Sequence, residues 1–299
     1  MISIRNVLSS PQSVATSAAP GGRRRGEAGT TTSGGQPKLR IQGIGKEFRL
    51  PRTGRPFTAL DGVTLDVRAG EFLTVVGPSG CGTSTLLDLL AGLTAPTAGR
   101  VLLDGEPLDG PGLERGVVLQ QYALFPWRTV RSNVEFALRA AAVPKRERAE
   151  RARACLDLAG LTGVEDRHPH ELSAGMRRRV AIARNLASDP DVLLLDDPFA
   201  TLDARTREPL QEDLLRIWRR TGMTVVFATH DIEEAVCLGQ RVAVMTPRPG
   251  RVERVVEVEL GSREAGRRAD PRFGAYRREV WALLRGEAAA AGEEAVSVG

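Results

Sequence analysis

An α/β protein with a mainly parallel core sheet and an antiparallel patch near its start is predicted by three observations on this 299-residue sequence. Apolar runs of strand length at Phe72–Val76, Val192–Asp196, Val225–Thr229 and Val242–Thr246 read as strands buried on both faces. Stretches with helical spacing alternate with them, the order from which parallel sheets are built. The first third instead holds short strand-like runs punctuated by turn signals, which argues for an antiparallel meander.

In chain order, strands are expected at Leu39–Ile44, Val63–Val67, Phe72–Val76, Val101–Asp104 and Val117–Gln120. Asp61-Gly62, Ala69-Gly70 and Asp104-Gly105 supply turns between several of them. Helices are expected over Val130–Ala142 and Lys145–Ala159, divided by Pro144, which cannot donate a helix hydrogen bond. Further helices are expected at about Ala174–Ser188 and Glu208–Arg220, and no internal repeat is visible. Residues 1–37, rich in Ser, Thr, Gly, Pro and Ala, cannot bury enough apolar surface to offset their ordering entropy. They are expected to form a disordered extension, as are residues 287–299. The main domain is expected over 38–260 and a helical tail over 261–286.

An apolar share of 41% suffices for a core, and a charged share of 26% suits a soluble protein. No run of about 18 apolar residues predicts a membrane-spanning helix, and the start lacks the basic-then-apolar pattern of a secretory leader. A cytoplasmic location is expected. The three cysteines, Cys81, Cys155 and Cys237, show no disulfide or metal spacing. The net charge of +5 is almost all arginine, since lysine occurs only at 38, 46 and 145. The arginines are interleaved with acids, which reads as a solvated surface, and no nucleic-acid partner is expected.

Gly77-Pro78-Ser79-Gly80-Cys81-Gly82-Thr83-Ser84-Thr85 follows the apolar run Phe72–Val76 and precedes Leu86–Leu90. Strand, glycine-rich loop and helix is the context of a phosphate-binding P-loop, whose backbone N–H groups cradle the anion. The pattern G-x-x-x-x-G-K-[ST] has Thr83 at its lysine. At the tip of Val192–Asp196, the carboxylate of Asp196 could reach a magnesium ion held by Ser84 and phosphates. Asp197 is placed to orient or deprotonate an attacking water; standing alone, the pair would read better as two acids beginning a loop with Pro198. Ser173-Ala174-Gly175-Met176, before Arg177–Arg179, joins a hydroxyl, a glycine backbone and a helix start into a second anion site. His230 follows a buried strand and would fall at the same sheet edge; by itself it reads as structural.

Together these segments resemble the ATP-binding subunit of an ABC transporter over about residues 38–285. The resemblance implies a P-loop NTPase ABC cassette: a mainly parallel core sheet with an antiparallel β subdomain and a helical subdomain. Gly77–Thr85 resembles Walker A, Leu172–Met176 the signature, Leu193–Asp197 Walker B and Ala200–Asp203 the D-loop. Gln120 matches the Q-loop glutamine and His230 the switch histidine. Phe48 stands where the family has an aromatic that stacks on adenine; otherwise it reads as a core phenylalanine. The resemblance implies ATP and Mg2+ as cofactors, with Ser84, Gln120 and Asp196 toward the metal and Asp197, His230 and Gln120 catalytic. Two copies would pack head to tail, each ATP lying between one Walker A and the other's Ser173. The implied partners are transmembrane permease subunits, a second ATP-binding subunit, identical or not, and indirectly an extracytoplasmic solute-binding protein. The implied location is the cytoplasmic face of the membrane.

Gln121–Trp127, Ser173–Arg177, Asp197–Phe199, His230–Ala235 and Asp270–Phe273 with Arg277–Val280 are similar to importers for nitrate, sulfonate, taurine and bicarbonate-like anions. Three residues depart from the family pattern. Thr83 replaces the lysine, and no cation within the loop substitutes for it. Asp197 replaces a glutamate and is one methylene shorter. Ala174 replaces a glycine and adds a Cβ where backbone approaches phosphate. Loss of one preorganised donor costs about 3–4 kcal/mol in a reaction barrier. Two readings follow: an ATP-driven import subunit, slow but active, or a hydrolysis-deficient, nucleotide-gated or regulatory subunit paired with an active cassette. Retention of Ser84, Asp196, Gln120 and His230 favours the first; the joint change at 83, 174 and 197 favours the second.

Overall fold

A computed structural model describes residues 36–50, 53–119, 123–261 and 266–296. The extension expected at 1–37 lies, apart from Gln36 and Pro37, outside the described residues, as does Gln120. The first sheet is antiparallel. It contains β1 (Leu39–Arg49), β2 (Pro56–Val67), β4 (Ala98–Leu103) and β5 (Glu106–Pro107) in the order β2-β1-β4-β5. The second sheet contains β3 (Phe72–Val76), β6 (Arg115–Val118), β7 (Val192–Asp196), β8 (Thr224–Thr229), β9 (Arg241–Met245) and β10 (Val252–Glu257). Its order is β10-β9-β3-β8-β7-β6. All neighbours in it are parallel except β10, which closes one edge antiparallel to β9.

The expected turn at Asp61-Gly62 is not a reversal. β2 runs through it, and the β1–β2 register shifts between Ile41 and Ile44 and again between Ile44 and Lys46. Gly62, at φ 65°, serves these irregularities. The chain turns earlier, where Leu50 N–H donates to the Arg55 carbonyl at 3.0 Å.

Helix α1 (Thr83–Leu90) lies between the two sheets, and its Leu86, Leu87, Leu89 and Leu90 join residues of both in one core. A separate helical unit holds α2 (Val130–Ala140), α3 (Lys145–Leu158) and α4 (Ala174–Leu186) around Val134, Leu138, Leu156 and Val180. The Thr129 hydroxyl caps α2 by accepting from Ser132 N–H at 3.2 Å, and α3 starts directly after Pro144. Helix α5 (Ala204–Thr221) covers the other face of the parallel sheet with Leu210, Leu214 and Trp218. It ends at Gly222 in the left-handed region. Elements not expected from sequence include the two-residue β5, the short helix α6 (Ile232–Leu238) and β10. Helix α7 (Phe273–Val296) continues past the boundary expected at 286, through alanine- and glutamate-rich sequence of high helix propensity. No helix among the described residues is long and apolar enough to cross a membrane.

Lys38, almost fully buried, ties the sheets together. Its Nζ donates to Asp104 beside β4 at 2.5 Å and to Asp191 before β7 at 3.0 Å. Lys38→Ala is expected to lower stability by about 2 kcal/mol, because two charge-assisted bonds and a buried stem are lost together. The measurement is the urea midpoint; an unchanged midpoint would show that the sheets hold together without this clamp.

Candidate functional site

The loop after β3 is shaped by what a side chain would strike. A Cβ on Gly77 would lie 2.5 Å from Cys81 Sγ and 2.9 Å from Met245 Cβ. One on Gly82 would lie 2.7 Å from Leu60 Cδ2. Gly80 and Gly82 also hold φ of 82° and 94°, the left-handed region that glycine enters freely. Cys81 N–H donates to the Pro78 carbonyl at 3.0 Å, tightening the turn. Gly82 then starts α1 with no side-chain cap and no acid in its first turn. The first N–H groups of the helix are thereby left for an anion at its positive end. Cys81 is buried and burial pushes its thiol pKa up, which suits a small packing residue rather than a nucleophile. Thr83 is buried, and its hydroxyl lies 4.0 Å from Cys81 Sγ.

Ser84 Oγ donates to Asp196 Oδ1 at 3.1 Å, joining α1 to the tip of β7. Asp88, one turn further along α1, has its carboxyl pKa raised by burial and then by the Asp196 charge. A hard dication beside Ser84 and Asp196 fits these oxygen donors and would relieve the acid pair. Among the described residues no cluster of three or more His, Cys, Asp or Glu could hold a metal alone. Phosphate oxygens would complete the shell, as is usual for magnesium.

Asp197 adopts φ 42°, a conformation that short Asp side chains tolerate better than most. Its N–H donates to the Ala228 carbonyl at 2.9 Å. Burial raises its carboxyl pKa, partly countered by His230, while Asp196 adds a further rise. The His230 ring is fixed by a 2.8 Å bond between Nδ1 and the Gly77 carbonyl. A carbonyl can only accept, so Nδ1 carries the proton and Nε2 is left as an acceptor. Asp231 next to it caps α6, accepting from Glu234 N–H at 3.1 Å, and pairs with Arg207 at 2.9 Å. Buried Glu234 accepts from Thr229 Oγ1 at 2.6 Å and from Gln211 Nε2 at 2.8 Å. Arg207 and Glu234 escaped the sequence reading because their partners stand on separate elements; the only local signal was an acid within the first turn after His230.

The remaining expected residues stand elsewhere. Ser173 caps α4, its Oγ accepting from Met176 N–H at 3.2 Å. The Ala174 methyl is partly buried against the core that α5 helps to form. A Cβ on Gly175 would sit 3.1 Å from Thr206 Cγ2. Asp203 caps α5 with both oxygens on Thr206, whose hydroxyl bond lowers the carboxyl pKa. These contacts are with α4 and α5, not with the loop at 77–85. Phe48 is 39% exposed, which removes the core reading, and it pairs across the strand with Phe57.

A glycine-rich loop closed on a helix start, with acids and a histidine at adjacent strand tips, defines a P-loop nucleotide-binding protein. The chain belongs to the ABC transporter family of ATP-binding proteins: residues 60–200 match the family model described as ABC transporter. It is 49% identical over 251 residues to an uncharacterized ABC transporter ATP-binding protein of Methanocaldococcus jannaschii, covering 84% of this chain and 92% of that one. It is 45% identical to a taurine import ATP-binding protein of Roseobacter denitrificans, with 82% and 93% covered. It is 46% identical to a nitrate import ATP-binding protein of a Synechocystis species, with 76% and 88% covered. Among solved structures it is similar to a dimeric ATP-binding cassette in a post-hydrolysis state with ADP and Pi. That likeness has TM-score 0.65 and 33% identity, over 74% of this chain and 99% of that one.

Two expectations follow from the geometry. Gly77→Ala should cost about 1–3 kcal/mol by overpacking, and adding Cys81→Ala should recover part of it in a denaturation double-mutant cycle. Strict additivity would mean that the clash is not with Cys81. Asp197 holds its proton more tightly folded than unfolded, because its folded pKa is raised. Its stability cost is therefore absent below the unfolded pKa and complete above the folded one. Asp197→Asn should melt about 2 °C above the natural protein at pH 7, with the gap closing toward pH 4. A gap that widens on acidification would reverse the sign.

Proposed function

We propose that the chain is the ATP-binding subunit that couples ATP binding and hydrolysis to import of a small anion, of the sulfonate, taurine or nitrate class, through separate membrane subunits. The observation that carries the reading is the convergence of Asp196, through Ser84, and of His230, through Gly77, on the loop at Gly77–Thr85. The loop N–H groups bind the phosphates, and exposed Phe48 offers its ring to adenine. Asp197 orients the attacking water and takes its proton; a raised pKa makes it a better base than an exposed aspartate. His230, with Nδ1 committed to Gly77, offers Nε2 to the γ-phosphate or its water. Magnesium held by Ser84, Asp196 and Gln120 would neutralise charge on the β- and γ-phosphates.

In this reading two cassettes close head to tail. Ser173 and the start of α4 of one copy meet the γ-phosphate held by the other, and Asp203 lies at the seam. Closure pulls on permease subunits at the cytoplasmic face of the membrane, which receive solute from an extracytoplasmic binding protein. The names of the taurine and nitrate import relatives support the anion class. The second reading, a hydrolysis-deficient subunit beside an active cassette, is favoured by Thr83, whose short side chain lies against Cys81 and carries no charge.

Turnover of magnesium-ATP by the purified protein and by a Thr83→Lys, Asp197→Glu double variant separates the two. The expected result is slow turnover by the natural protein, raised about 100-fold in the variant. Binding without turnover, with turnover appearing only in the variant, would establish the second reading. Failure to bind ATP at all would overturn both.

A further inference from the structure

The loop at Gly77–Thr85 holds no cation of its own, yet one from elsewhere in the chain touches it. Arg248 lies in the turn between β9 and β10. Its guanidinium carbon stands 4.6 Å from the centroid of the Phe57 ring. Its Nε donates to the Gly80 carbonyl at 3.4 Å, a long bond that is easily exchanged. A Cβ on Gly80 would fall 2.6 Å from Nη2, so the guanidinium fills the space that a side chain at 80 would take. Its described polar and ring contacts are these two, and neither is with an acid.

The turn that carries Arg248 is held firmly. Thr246 N–H donates to the Arg251 carbonyl at 2.9 Å, and Thr246 Oγ1 donates to the Pro249 carbonyl at 3.1 Å. Gly250 N–H donates to the Ala59 carbonyl at 2.9 Å, and Asp61 N–H donates to the Gly250 carbonyl at 3.0 Å. A Cβ on Gly250 would meet the Cys81 carbonyl at 1.9 Å, so the turn is wedged against the loop itself. The backbone thus presents a positive charge between Phe57, the cross-strand neighbour of Phe48, and the glycine-rich loop.

We infer that Arg248 binds the phosphate chain of the nucleotide and supplies, from outside the loop, the positive charge that Thr83 lacks. The inference rests on reading residues 77–85 as the nucleotide site. A guanidinium is chemically suited to this role, because it stays charged, stacks on an aromatic face and offers paired donors to phosphate oxygens. It acts from the rim of the loop rather than from the first turn of α1, so its contribution is to nucleotide affinity.

The test is calorimetric binding of ATP and of adenosine to the full chain in four forms: natural, Arg248→Gln, Thr83→Lys, and the two combined. Glutamine keeps a donor for the Gly80 carbonyl and removes the charge together with the guanidinium group over Phe57. The expected result is an ATP affinity at least about tenfold weaker in Arg248→Gln, equivalent to about 1.4 kcal/mol. Adenosine binding and the melting temperature should be unchanged. The loss should shrink in the Thr83→Lys background, where a lysine carries the charge, and Arg248→Lys should retain much of the affinity. Unchanged ATP affinity would overturn the inference, as would an equal loss for adenosine, which would place the effect at Phe57. An equal loss in both backgrounds would overturn the replacement of the lysine. No ATP binding by the natural protein would instead overturn the nucleotide-site reading on which the inference stands.

Discussion

The site depends on one constraint, the parallel register of three adjacent strands. β3 pairs with β8 so that Val76 faces Thr229, and β8 pairs with β7 so that Ala228 faces Asp196. Parallel strands all end at the same edge. The residues just past those ends, Gly77, Asp197 and His230, are therefore gathered without long-range side-chain bonding. The strands are fully buried apart from the Asp196 tip, so a shift by one residue would turn apolar side chains out of both packed faces. Hydrophobic register thus does the positioning, and the Ser84–Asp196 and His230–Gly77 bonds only refine it.

Much of this frame was legible in the sequence because buried parallel strands are short, apolar and bounded by turns. Phe72–Val76 and Val192–Asp196 match their expected bounds, and the helices around Pro144 and after Ser173 begin where their caps are. What was not legible is what depends on distant partners. Asp61-Gly62 carries turn chemistry, but pairing with β1 holds it inside a bulged strand. α6 is too short for its periodicity to stand out, and β10 (VERVVE) mixes charge with valine without a regular alternation at an exposed edge. Arg248 is far from the loop in sequence, and the pairing of β3 with β9, with the bonds between Gly250 and β2, brings its turn there.

The surrounding packing makes the geometry stiff where chemistry needs it. The acid pair Asp196 and Asp197 is placed with like charges close together, and Asp88 adds to the field. Such an arrangement is unfavourable in isolation and would be relieved by a cation beside it. Around it, Arg207–Asp231 and Gln211–Glu234–Thr229 lock α5 to the residues flanking His230. Movement of α5, which Asp203 caps, would thus act through direct bonds on the residues that flank the histidine.

The three departures from the family pattern are not equivalent physically. At 174 the change adds only a methyl, partly buried against the core that α5 helps to form. At 197 the charge is kept, and the left-handed backbone at φ 42° is one that a short aspartate bears well. At 83 the change is of another kind, because a full positive charge is gone from a place where anionic oxygens would collect. Backbone N–H groups carry only partial charge and cannot balance a triphosphate alone. The electrostatics of this loop therefore turn on charges outside it, and a single arginine resting on Gly80 lies close enough to matter.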